Sequence, residues 1–213
     1  MQGDGAGRMD IKLNFINDSN DVNNSDVVIF AKNVATEAQE TAVAWLVIRN
    51  CGQGDNHPFV YPMTSQVGAS DSWGNYSPLL NASNGQEFAM VRSTSGDVLQ
   101  YYGPASSMTQ IQVLNALATG AINAGIYKSD KLYAQATNIA PQQKAAFQFT
   151  PTIWIGVASQ VEQGEVMNSA IVSSINTELS LYGIASADIV MTGGGAGPNA
   201  TPFVFTLRNV VET

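Results

Sequence analysis

Three groups of residues in this chain carry atoms that could do chemistry. The sole thiol, Cys51, and the sole imidazole, His57, lie close together, as a nucleophile and its base would. A working pair also needs a third group to orient the base. None is evident, and the Gly-rich stretch GQGDN separates the two. Cys51 therefore reads as a buried structural thiol. His57 reads as a structural or hydrogen-bonding residue on a strand edge, since HPFVYP has prolines that disfavour helix on both sides. Glu162 and Glu165 suggest a carboxylate pair for glycoside cleavage, which needs two carboxyls facing each other about 5–10 Å apart across a bond. Neighbours in one turn do not face each other that way, so the pair reads as a solvated acidic turn. No residue is assigned a catalytic role.

Two loops invite a ligand. In NDSNDVNNSD the residues Asn17, Ser19, Asp21 and Asn23 alternate as in a calcium loop. The loop lacks the Gly and the bidentate Glu of an EF-hand, so a polar hairpin loop is the preferred reading. GGGAGPNATP resembles a phosphate cradle only in its glycines, because Pro198 and Pro202 and a following strand deny it the helix such a cradle needs. It reads as a flexible hairpin tip. No metal site and no cofactor are expected.

The remaining candidates are aromatic. Trp73 and Tyr76 sit in the polar loop SDSWGNYSP, and Tyr101 and Tyr102 lie in a strand further on. With neighbouring Asn, Asp and Gln side chains they could stack on and hydrogen-bond to a glycan, or stand at a protein interface. These four are the expected binding residues.

The elements that must hold these groups are strands. Ile11–Ile16 alternates with Ile11, Leu13 and Phe15 on one face, while Asp26–Lys32 is a continuous apolar run, as in a strand covered on both sides. Strand patterns recur at 57–62, 64–70, 88–92, 98–102, 111–114, 122–127 and 132–136 and, near the end, at 177–181, 189–192 and 203–210. Residues 108–119 are open between strand and helix, as are 170–175. The stretch FQFTPTIWIGVASQVEQGEV, 147–166, reads as a central strand interrupted at Pro151 and followed by an acidic turn. Its Trp154 lies opposite Ile153 and Ile155, so both faces carry bulky apolar groups. From Thr36 to Asn50 a capping-box pattern and three- and four-residue spacing of Ala38, Ala42, Trp45, Leu46 and Arg49 favour a helix, although AVAWLVI taken alone also fits a buried strand. The expected fold is mainly β, an antiparallel β-sandwich with one short helix, about residues 36–50, packed on it. Residues 1–8 are expected to be a disordered lead, with Met9 the natural start, and 9–213 a single domain.

Composition narrows the partners. Seventeen acidic against nine basic residues, a net charge of −8, disfavour nucleic acid and anionic lipid. Only 12% of the 213 residues are charged, so an amide-rich surface must keep the chain in solution and resists self-association weakly. No apolar run is long enough for a transmembrane segment and no secretory h-region opens the chain. A cytoplasmic location is expected, and a single cysteine agrees with a reducing compartment.

FTPTIWIG followed by QGEV, with the earlier GIYKSDKL, resembles the rhizosphere-induced protein family of plant-associated bacteria. The resemblance is carried by Phe149, Thr150, Pro151, Trp154, Ile155, Gly156, Gln163, Gly164, Glu165 and Val166, with Tyr127, Lys128 and Asp130 in the hairpin. The Asn-rich loop before VVIFAKN and the later AVAWLVI extend it more weakly through the N-terminal half. It implies an abundant cytosolic bacterial protein under quorum or host-associated control, with no known enzymatic mechanism. Phe149, Pro151, Trp154, Gly164 and Glu165 are then expected to be structural.

The expected function is non-enzymatic, exerted by self-association into a homo-oligomer or by binding a partner such as a host surface. A carbohydrate-binding, lectin-like module is the first alternative. The second is a pore-forming or insecticidal toxin that releases residues 36–50 to a membrane; the apolar Trp45 side of that segment favours core packing instead.

Overall fold

The computed structural model describes residues 9–35 and 42–213. The expected lead, 1–8, and the first part of the expected helix, 36–41, lie outside the described residues.

Sixteen strands among the described residues form four four-stranded sheets. The first has the order β16 (Thr201–Glu212), β15 (Ile184–Gly194), β1 (Ile11–Asn17), β4 (Asn56–Tyr61). The second runs β11 (Lys131–Ile139), β10 (Ile122–Lys128), β5 (Ser65–Asp71), β6 (Leu80–Ala82). The third runs β12 (Lys144–Phe147), β9 (Ile111–Asn115), β7 (Gln86–Ser93), β8 (Gly96–Pro104). The fourth runs β14 (Thr177–Ser180), β13 (Thr152–Val157), β2 (Val27–Phe30), β3 (Leu46–Ile48). Pairing is antiparallel except for β1 with β15 and β7 with β9. The mainly β, sandwich-like architecture is thus the one its strand rhythm predicts.

One continuous apolar core takes side chains from all four sheets. Its aromatic centre joins three of them. Trp45, just before β3, meets Tyr61 of β4 and Tyr133 of β11 edge-on, each with ring centroids 5.7 Å away, and Phe149 packs on Tyr133 at 5.0 Å. A smaller second core covers the other face of the fourth sheet, where Val28 and Phe30 of β2 lie under Val161, Met167, Val172 and Ile175. The apolar run at Val27–Phe30 is buried throughout for this reason.

The short helix is elsewhere than expected. Residues 42–48 are extended: Leu46–Ile48 pairs antiparallel with β2, and Ala42 and Val43 bridge to Ala134 and Val166. Both faces of this segment are covered, with Leu46 and Ile48 in the main core and Val47 against the second one. A strand buried on two sides shows no polar alternation, and its apolar spacing then imitates a helix. Among the described residues the α-helix is α1 (Ser169–Ser174), whose Asn168 side chain caps it by accepting the Ile171 N–H. It forms part of the lid over the second core. The open choice at 108–119 resolves as strand β9.

The expected central strand at 147–166 is two strands in two sheets. Phe147 ends β12 and Thr152 begins β13, because Pro151 and the bend around it break the ladder between them.

Candidate functional site

The loop between β5 and β6 is built to hold an indole in water. One carboxylate oxygen of Asp71 accepts the backbone N–H groups of Trp73 and Asn75, both at 2.9 Å, and the other accepts the Asn75 side-chain amide at 2.7 Å. The Asn75 side chain, then these backbone donors, hold the Asp71 carboxyl below the usual range. Gly74 supplies the left-handed residue of the turn, φ 85°, and Ser70 bridges Tyr76 to close it. The result is a locked turn from which Trp73 stands 88% exposed.

Tyr76 leaves the same turn toward Tyr127, a residue that sequence reading placed only in a hairpin motif. Gly68 and Gly125 face each other across β5 and β10. The Tyr127 ring lies over both, so close that a Cβ on either glycine would sit 3.0–3.2 Å from a ring atom. Burial pushes the Tyr127 phenol up, and the nearby Tyr76 adds to the effect. Tyr76 and Tyr127 therefore lie near each other beside the second sheet, while Trp73 stands out in water from the turn before Tyr76.

Tyr101 and Tyr102 belong to the third sheet, on its edge strand β8. Tyr102 occupies a bulge, since pairing steps from Glu87–Gly103 to Phe88–Tyr101, and this turns two adjacent tyrosines outward. Tyr101 leans edge-on against Phe88 at 6.0 Å. Among the described residues no ring contact joins any two of Trp73, Tyr76, Tyr101 and Tyr102, which lie in two places, the β5–β6 loop and the edge strand β8.

The other candidates resolve as framework. In the Asn-rich loop the Asn17 side chain donates to the Cys51 carbonyl at 2.7 Å and accepts from the Ser19 N–H and hydroxyl. The Asp21 oxygens accept the N–H groups of Asn23 and Ser25. Burial opposes the Asp21 charge, but these donors outweigh it and hold the carboxyl low. Oxygens aimed at N–H donors are not aimed at a cation. Burial, then Asp55, pushes the Cys51 thiol up, which makes it inert. His57 is exposed on the edge strand β4.

Glu162 and Glu165 hold a turn. The Glu165 carboxylate accepts the Glu162 N–H, Gly164 takes φ 86°, and the Gly164 N–H donates to the Ala44 carbonyl at 2.8 Å. Arg49 ties the turn down through Glu162 at 3.0 Å. Phe149, Pro151 and Trp154 are likewise embedded: Pro151 accepts the Leu181 N–H, and Trp154 stacks on Phe30 at 6.5 Å under the Lys32 ammonium.

No family model, curated protein or solved structure matches this chain. Among the described residues no helix is long and apolar enough to cross a membrane, and no three His, Cys, Asp or Glu side chains group as metal ligands would.

Proposed function

We propose that this chain is a non-enzymatic β-sandwich protein that acts through its surface, by self-association into a homo-oligomer or by binding a partner molecule. Its resemblance to the rhizosphere-induced proteins adds a cytoplasmic setting and host- or quorum-linked control to the proposal. The observation that carries it is β16. This strand is twelve residues long, pairs on one side with β15, and forms the edge of its sheet. Val204, Val210 and Val211 along it are 45–54% exposed. An open, apolar edge is a template for a further strand, and proteins that do not use such an edge blunt it. The opposite edge, β4, is blunted by Pro58, β3, β6, β12 and β14 have only three or four residues each, and the edges β8 and β11 have nine. β16 is the longest edge, with Pro202 near its start and a bulge at Asn209.

The test is the sedimentation of the purified chain over a wide concentration range, beside a Val204→Lys, Val211→Lys variant. The native chain should run larger than a monomer and the variant should shift toward monomer. A native chain that stays monomeric and ligand-free at high concentration would remove the self-association reading.

A lectin-like module is the second reading, favoured by the locked turn under Trp73. A water-exposed indole on a backbone turn locked by Asp71, with Tyr76 three residues on, offers a stacking surface whose backbone needs no further ordering. Trp73→Ala should abolish glycan-array signals, and a variant that binds unchanged would sink it. The toxin reading draws no support from residues 42–48, where Ala42, Val43, Ala44 and Trp45 are buried.

A further inference from the structure

The Asn-rich loop divides into two halves. Asn17, Ser19 and Asp21 spend their side chains within the loop and, for the Asn17 amide, on the Cys51 carbonyl. Asn23 and Asn24 turn outward, and among the described residues their side chains make no hydrogen bond. They form one wall of a cleft of about 640 Å³ at the end of the β2–β13 pair, where Val27 faces Val157. The other wall is Ser159 and Gln160, also without side-chain hydrogen bonds among the described residues. Val157, Ala158 and Ile171 give it an apolar floor.

The backbone beneath these walls is tied before any ligand arrives. Asp21 clamps the N–H groups of Asn23 and Ser25 at 2.9 and 2.6 Å, and the Ala158 N–H donates to the Asp26 carbonyl at 3.2 Å. Gln160 is held in the left-handed region, φ 61°, a conformation that disfavours a long side chain and that this fold nevertheless imposes at the rim.

The chemistry of the lining selects the ligand. The cleft's carboxylate, Asp26, is already ion-paired to Arg49 at 3.5 Å, and no lysine or arginine lines the cleft, so neither a metal cation nor a phosphate finds an unpaired counter-charge. What remains is a set of amides and hydroxyls over small apolar side chains, in a volume within the usual range for small-molecule sites. Such a surface matches hydroxyl groups on a ring with an apolar C–H face. We infer that this cleft binds a neutral polyhydroxylated ligand of mono- or disaccharide size, separately from the Trp73 turn.

This inference rests on the surface-binding reading but not on β16. The experiment is a titration of the ¹⁵N-labelled full chain with glucose, galactose, N-acetylglucosamine, maltose and cellobiose, following backbone amide shifts. At least one sugar should move the amides of 23–26 and 157–160 with millimolar affinity, a free energy of about −4 kcal/mol. Ala158→Phe, which fills the floor, should abolish these shifts. Gln160→Gly relieves the left-handed residue, so it should leave the spectrum dispersed and still weaken binding by about threefold or more. Trp73→Ala should leave the shifts intact.

Absence of shifts at these amides for all five sugars would overturn the inference, as would shifts that appear only around Trp73. If the chain also sediments as an assembly in that case, the surface-binding reading stands without this ligand.

Discussion

The Lys128 ammonium lies 4.8 Å from the centroid of the Tyr61 ring, inside the core, and among the described residues no carboxylate forms an ion pair with it. Tyr133 covers it at 5.3 Å, the Pro62 and Thr64 carbonyls accept its hydrogens at 2.6 and 3.4 Å, and the Tyr61 and Tyr133 hydroxyls meet at 2.9 Å. Rings and carbonyls thus stand where a directly paired carboxylate would.

That replacement is incomplete, and stability should depend on pH as a result. Burial pushes the Lys128 ammonium down to about 8, against a weak opposing pull from Asp10. Between about pH 8 and 10 the unfolded chain therefore binds more protons than the folded one, so stability rises with pH, by about 2–3 kcal/mol over that window. Burial also holds the Tyr61 and Tyr133 phenols above their ordinary value. Above about pH 10 the unfolded chain loses those protons first, and stability falls again. Urea melts across this range should trace a maximum, and Lys128→Met should flatten its rising limb. A native chain with no rise above pH 8 would show that the ammonium is as well solvated folded as unfolded.

Trp154→Ala should cost about 2–3 kcal/mol, somewhat less than truncating a fully buried aromatic. The indole is half-buried, stacked on Phe30 and capped by Lys32 with its Nζ 3.7 Å from the ring centroid, while Ile153 and Ile155 on the opposite face are fully buried. Trp154→Phe should keep most of the stacking. A near-neutral alanine variant would mean that the second core holds without this ring.

How much of this could be read in the sequence depended on where each residue finds its partners. The alternation of Ile11, Leu13 and Phe15 reports a face of β1, and Val27–Phe30 reports a doubly covered strand, because the signal is local in both cases. At 42–48 the same double covering erased the local period and made a strand resemble a helix. Trp73 was legible as a loop aromatic, and its exposure follows from an Asx-type lock that SDSWGN spells out. Nothing local marks Lys128 as caged or Tyr127 as laid over two glycines. Their partners, Tyr61 and Gly68, come from a distant part of the chain and meet them only in the folded sheets. The cleft between Asn24 and Gln160 is hidden for the same reason.

Gly156 should tolerate no side chain. A Cβ there would lie 2.8 and 2.9 Å from the two γ-carbons of Ile175, where the chain leaves α1. Gly156→Ala should cost about 1–3 kcal/mol by overpacking. In an Ile175→Ala background the same change should cost less than about 1 kcal/mol, because the obstructing γ-carbons are gone. Additive costs in chemical denaturation of the four chains would show that the strain is relieved elsewhere.

Asn17→Ala should be among the costlier polar substitutions, about 2–3 kcal/mol, although it lies in a loop-like sequence. Its side chain is 1% exposed and joins two segments, donating to the Cys51 carbonyl and accepting from Ser19, so truncation leaves three buried groups without their partner. The same bonds decide the calcium question. For Asn17, Ser19, Asp21 and Asn23 to surround a cation, the Asp21 oxygens must release the N–H groups of Asn23 and Ser25, and Asn17 must release Ser19. Those losses outweigh what an incomplete ligand set returns, so neither added calcium nor a chelator should move the melting temperature. A calcium-dependent rise would show that the loop rearranges into a ligand set. With no such rise, a destabilised Asn17→Ala variant would identify the loop as a polar staple between β1 and the segment around Cys51.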